Sequence, residues 1–219
     1  MDNKAIKDGN LNASYDVLLF PDVNKDIIVD GKPKREPGQM QYFEELPPEY
    51  SGGIGKEGVA NLKKFVENGG TIIALASSGD LLAEEFNIPL RNALGRTRSE
   101  EFSSPGSLLR VYLDTSNPVA YGMPKEIAAF VNEPIAYQTV SPSPDIERSV
   151  LAWYPKDSED ILLSGWIRGP EMLERKAAAV TLQQGKGKLV LFAFRVQNRA
   201  QTEGTFKLLF NAIQWAGME

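Results

Sequence analysis

Few residues in this chain are placed to do chemistry. Ser77-Ser78-Gly79 follows the apolar run Thr71-Ile72-Ile73-Ala74-Leu75 and precedes a short helical stretch, Leu81 to Phe86. A serine on such a strand-to-helix turn can act as a nucleophile, because the helix N-terminus points backbone N–H groups at a developing oxyanion. Attack also needs a base, which in the serine-histidine-carboxylate arrangement is a histidine. The 219 residues contain no histidine and no cysteine. No Ser-x-x-Lys spacing follows either serine to offer lysine instead. The expected role of Ser77 and Ser78 is therefore to cap a helix, which contributes about 1 kcal/mol by satisfying orphan N–H groups.

Other candidates are weaker. Gly52-Gly53-Ile54-Gly55 leads into a helix and can cradle an anion, but it lacks the Gly-Lys-Ser/Thr ending of a phosphate loop, and glycines there also serve a tight turn. Arg195, Asn198 and Arg199 follow the last core strand; arginine forks bind carboxylates and phosphates, and equally form structural ion pairs. Together Gly53, Ser77, Ser78, Arg195 and Arg199 form the candidate anion-facing set. The adjacent acids Glu44-Glu45 and Glu84-Glu85 do not make a glycosidase pair, since neighbouring helical side chains diverge by about 100°. Without histidine or cysteine only carboxylates remain as metal ligands, and no calcium-loop pattern is present, so neither metal nor cofactor is expected. Asn12-Ala13-Ser14 matches a short glycosylation pattern that carries little weight alone.

Composition sets the outer bounds. Hydrophobic residues at 42% and charged residues at 24% are ordinary for one globular domain spanning 1–219. The formal charge of -5 and the lack of a dense basic run argue against a nucleic-acid partner. No apolar stretch approaches the roughly 20 residues that span a bilayer, and the N-terminal residues do not read as a signal peptide. Zero cysteine fits a reducing or an oxidising compartment, so localisation stays open.

The elements that must position these residues follow a strand, helix, strand order. Tyr15 to Asp22 reads as a buried parallel strand. The proline-rich stretch at about 23–51 reads as a surface insertion, too rich in proline for a helix. Val59, Leu62, Phe65 and Val66 recur at helical spacing up to a glycine cap at Gly69-Gly70, and Thr71 to Leu75 is the next strand. This is the βαβ unit of a doubly wound sheet, whose strand C-termini share one edge. The second half is strand-rich, with candidates at Leu108 to Leu113, Ile127 to Val131, Val150 to Tyr154 and Ile161 to Leu163. Ala177 to Leu182 and Lys188 to Phe194 flank a hairpin loop, Gln183 to Gly187. A last helix, about Thr205 to Trp215, carries two apolar stripes: Phe206, Leu209, Phe210 and Ile213, and Leu208, Ala212 and Trp215. Such a helix is either sandwiched or covered by a partner.

Taken in order, several segments resemble the class I glutamine amidotransferase-like domain at the C-terminal end of bacterial zinc carboxypeptidase-like proteins of the carboxypeptidase A group. They are Tyr15 to Asp22, Tyr50 to Gly55, Leu62 to Ser77, Pro105-Gly106-Ser107, Asn117 to Pro124, Leu163 to Trp166, and Gly185 through Arg199 to Asn211. The resemblance implies a three-layer, flavodoxin-like α/β fold with a mostly parallel sheet. It puts Ser77 where relatives carry the cysteine nucleophile, with Ser77, Ser78 and Gly79 as a degenerate elbow. The base histidine's region reads Arg195-Val196-Gln197-Asn198-Arg199, and the peptidase's His-x-x-Glu zinc motif has no counterpart. Such a fold usually supplies more structure before its first strand than 14 residues, which points to truncation at the N-terminus.

Three readings follow. The first is a non-catalytic accessory domain packing on a carboxypeptidase catalytic domain in cis, or on a second copy through the C-terminal helix; an exported parent would place it in the periplasm or outside the cell. The second is a module binding small anions or carboxylates at the strand C-terminal edge. The third is a serine hydrolase with a base other than histidine.

Overall fold

The computed structural model describes residues 1–33, 51–133, 135–199 and 202–218. Most of the proline-rich stretch, with Glu44, Glu45 and Tyr50, lies outside the described residues.

The chain opens with α1 (Asn3–Asp8), capped by the Asp2 side chain, and enters β1 (Val17–Phe20). Next comes α2 (Lys25–Asp30), in a stretch expected to be helix-free. The prolines that prompted that expectation begin only at Pro33, so they leave residues 25–30 free to coil. After α3 (Gly55–Glu67) come β2 (Thr71–Leu75), α4 (Gly79–Glu85) and β3 (Leu90–Asn92). The strand-rich half holds β4 (Ser107–Leu113), β5 (Glu126–Val131), β6 (Tyr137–Thr139), β7 (Ile146–Trp153), β8 (Leu162–Ser164), β9 (Ala177–Gln184) and β10 (Gly187–Phe192), before α5 (Phe206–Ala216).

The ten strands of the described residues join one sheet, with the main path β1-β2-β10-β9-β7-β4-β5. Among the described strands only β1, β2 and β10 pair in parallel; β9, β7, β4 and β5 continue antiparallel. The expected mostly parallel sheet is therefore corrected to a mixed one. Its cause is local: Gly185-Lys186 links paired Gln184 and Gly187, with Gly185 at φ 61°, and a two-residue turn can only join antiparallel strands.

Alternation explains the layers. On β2, Ile72 and Ala74 face a core with Val59, Leu62, Phe65 and Val66 of α3, while Ile73 and Leu75 face a core with Leu208, Ala212 and Trp215 of α5. On β10, Leu189 and Leu191 join the first core, Val190 and Phe192 the second. A strand buried on both faces must be apolar at every position, which is why both segments read as continuous runs. β1 differs from the expected fully buried strand: it sits at the sheet edge, and Leu19 is 45% exposed. α5 buries one of its two stripes, but Phe210 and Ile213 of the other face outward at 62% and 41% exposure.

Two buried asparagines fix the turn over α5. Asn117 Nδ2 donates to Thr181 Oγ1 at 3.0 Å, and its Oδ1 accepts from the Val119 N–H at 3.0 Å. Asn211 Nδ2 donates to the Val119 and Tyr121 carbonyls at 2.9 and 3.0 Å. Asn117→Ala strands a buried N–H and removes the donor to Thr181, so urea unfolding should show a loss of about 2 kcal/mol; an unchanged midpoint would mean that Asn117 does not hold the turn.

Candidate functional site

In an open α/β sheet, ligands lie at the carboxyl ends of the parallel strands, and three residues meet there. Asp22 lies just past β1, Ser77 just past β2, and Arg195 just past β10. Arg195 Nε donates to Asp22 Oδ2 at 2.6 Å, and the Ser77 backbone N–H donates to Asp22 Oδ1 at 3.0 Å. The Asp22 side chain is 9% exposed, so this carboxylate holds the three strand ends together from a largely dry position. Arg195 also donates to Asn198 Oδ1 at 3.4 Å. Glu133 completes the cluster: burial, then the charge of Asp22, raise its pKa above the usual carboxylate range, with Arg195 opposing. With both acids ionised the cluster carries two negative charges against one guanidinium.

The structure thus joins Ser77 and Arg195 through Asp22, and leaves the other expected anion-facing residues apart. Gly53 is buried against α2, where a Cβ would stand 2.1 Å from the Val29 carbonyl oxygen, so close backbone approach accounts for the glycine. Arg199 is exposed. Ser78 is fully buried; its Oγ accepts from the Leu75 N–H at 2.9 Å and is within donating distance of the Leu75 and Phe20 carbonyls. It precedes α4, yet its side chain makes no capping bond to that helix, contrary to the expected N-cap. Its hydroxyl staples the end of β2 to β1 instead.

The residue of this turn with left-handed backbone is Ala76, directly before the two serines. It is the first residue after β2, takes left-handed backbone at φ 47° and is 1% exposed. A nucleophile elbow presents its reactive side chain from such a strained residue between strand and helix. Here the side chain is a methyl group. The one signal for it in the sequence is its position directly after the strand.

Beneath this turn lies a second polar cluster. Gly79 packs against the Tyr137 hydroxyl, where a Cβ would sit 1.9 Å away. Among the described residues, Asp80 Oδ1, Tyr137 OH and Tyr154 OH are buried without a hydrogen-bond partner. Burial raises the Asp80 carboxyl to about 6, opposed by a hydrogen bond from Asn92, reinforced by Glu84 and opposed by Lys25. Burial, then Asp80 and Tyr154, push the Tyr137 phenol well above its ordinary value. Lys25 pairs with Glu84 and Glu85 at 2.6 and 2.9 Å, so these adjacent acids are surface ion-pair partners. Among the described residues no three His, Cys, Asp or Glu side chains converge to hold a metal ion, and no helix is long and apolar enough to cross a membrane.

No protein-family profile and no curated protein matches the chain. A cytoplasmic protein from Salmonella typhimurium is similar in structure over 98% of this chain and 76% of its own, at 16% identity and a TM-score of 0.51. PurLQS from Thermotoga maritima is similar over 72% of this chain and 67% of its own, at 16% identity and a TM-score of 0.49. A GMP synthase protein from Thermoplasma acidophilum is similar over 73% of this chain at 12% identity and a TM-score of 0.45; this chain spans 64% of its length. At such identities the likeness to the Salmonella protein is one of fold, and function must be argued from the site.

Two measurements test this geometry. Ala76→Gly relieves left-handed strain and should raise stability by up to about 1 kcal/mol in urea unfolding; a loss would mean that this position is unstrained. For Asp80, the folded state holds the proton more tightly than the unfolded chain, whose carboxyl titrates near 3.9. Its contribution is therefore fully present below about pH 4 and lost as pH rises to about 6. Asp80→Asn should exceed the wild type in stability at pH 7.5, on the order of 3 kcal/mol, and match it near pH 4. A difference independent of pH would refute the assignment.

Proposed function

We propose that this chain is a non-catalytic, glutamine amidotransferase-like domain that works by packing against another domain. The observation that carries this reading is Ala76 in the turn after β2, a strained position holding a side chain that cannot attack. The surroundings support it. Ser78 is tied into the backbone, Asp22 clamps strand ends, and the sequence offers no histidine or cysteine to complete a triad. The ordered sequence resemblance and the strand-elbow-helix geometry supply the amidotransferase-like part.

The packing part rests on the outward stripe of α5. Phe210 and Ile213 are exposed there, and Tyr121, 77% exposed, rides on the turn that Asn211 holds against the same helix. Exposed apolar residues that cluster on one face are the chemistry of an interaction surface. The partner we propose, from the sequence resemblance, is a zinc carboxypeptidase catalytic domain; a second copy of the chain is the alternative occupant.

Sedimentation velocity of the chain alone and mixed with a carboxypeptidase A-group catalytic domain tests the reading, alongside ammonia release from glutamine. Expected are no glutamine hydrolysis and an association that Phe210→Ser/Ile213→Ser weakens roughly tenfold or more. A dimer of the chain lost in that variant would assign the face to a second copy. Glutamine turnover by the wild type would overturn the non-catalytic reading, and association unaffected by the double variant would remove the packing role.

A further inference from the structure

A cleft of about 240 Å³ opens between β6, β7 and the residues entering β9, lined by Gln138, Thr139, Val150, Arg175 and Lys176 among others. Because β9 runs antiparallel to β10, its N-terminal end lies at the carboxyl edge of the parallel strands, beyond the Asp22–Arg195 clamp. Among the described residues no acidic side chain lines it. Neither Arg175 nor Lys176 makes a side-chain ion pair or hydrogen bond with another described residue, in a chain whose net charge is -5. Two unneutralised cations side by side repel each other, and an anion between them would turn that cost into attraction.

Two details suggest that the cleft is built. Arg175 adopts left-handed backbone at φ 55°, where an L-residue is strained, and its side chain is exposed at the cleft. Arg91 Nη2 donates to Gln138 Oε1 at 3.0 Å, which fixes the amide so that its NH₂ is turned away from that bond and can donate elsewhere. The cleft then offers a guanidinium fork and an ammonium, with one further donor from β6, across which the Gln138 and Thr139 side chains alternate. It is below the roughly 300 Å³ at which drug-sized sites begin, so the occupant is small.

We propose that this cleft binds a small oxyanion, a carboxylate or phosphate group, gripped by Arg175 and Lys176. The site is separate from the packing face, since none of its residues belongs to α5 or to the 117–121 turn.

Calorimetric and thermal-shift titrations with sodium phosphate and sodium succinate, each against sodium chloride at matched ionic strength, test it. Saturable binding of either probe is expected, weakened roughly tenfold in Arg175→Gly/Lys176→Met. Glycine accepts the left-handed backbone and methionine keeps the lysine stem, so this variant retains the fold. Thr139→Asp leaves both cations in place, sets a carboxylate beside them, and should also weaken binding. Saturation by phosphate alone assigns a phosphate-bearing ligand, and by succinate alone a carboxylate. No saturable response to either probe, or equal affinity in all three proteins, overturns the proposal.

Discussion

β9 is hydrogen-bonded along both edges, to β10 on one side and β7 on the other, and the rest of the molecule depends on that double commitment. It joins three parallel strands, built as a βαβ unit, to an antiparallel half that would otherwise be a separate sheet. Because β9 continues the same plane, the core under α5 runs unbroken from Ile73 and Val190 through Ala178 and Ala179 to Leu109, Val111 and Leu151. The small Ala177-Ala178-Ala179 run lets bulkier neighbours close over the strand, among them Phe192, Phe194 and Tyr154.

What could be seen in the sequence followed from burial. β2 and β10 must be apolar on both faces, α3 shows its stripe at helical spacing, and the Gly185 turn marks its hairpin without tertiary knowledge. The hairpin also implied that the sheet is not mostly parallel, but a βαβ pattern in the first half invites extension to the second, and pairing order leaves no periodic mark. α2 is masked by the proline-rich residues that follow it, which begin only at Pro33. The site resisted for a different reason. Asp22 and Arg195 are 173 positions apart, so neither composition nor spacing joins them. Ala76 is the blandest residue of its turn, and only its backbone angle distinguishes it.

The carboxyl edge divides electrostatically along the sheet. Over β1, β2 and β10 the acids Asp22 and Glu133 outnumber Arg195, whereas past the start of β9 Arg175 and Lys176 face the cleft without an acid in its lining. The guanidinium of Arg195 at this edge is held by Asp22. Between the two regions lie the unpartnered hydroxyls of Tyr137 and Tyr154, where a protonated Asp80 is less costly to bury than a charged one.

The two-residue turn at Gly185-Lys186 also bears on the order of assembly. β9 and β10 can zip from that turn on the microsecond scale of an isolated hairpin, because almost no loop has to be closed. Pairing of β10 with β2 brings together residues more than a hundred positions apart, as in Lys188 with Thr71, and the Asp22–Arg195 contact closes a longer loop still. Loop-closure entropy grows with that separation. The edge that carries the candidate site thus rests on contacts of long sequence separation, whose loop closure costs more entropy than that of the hairpin beside it.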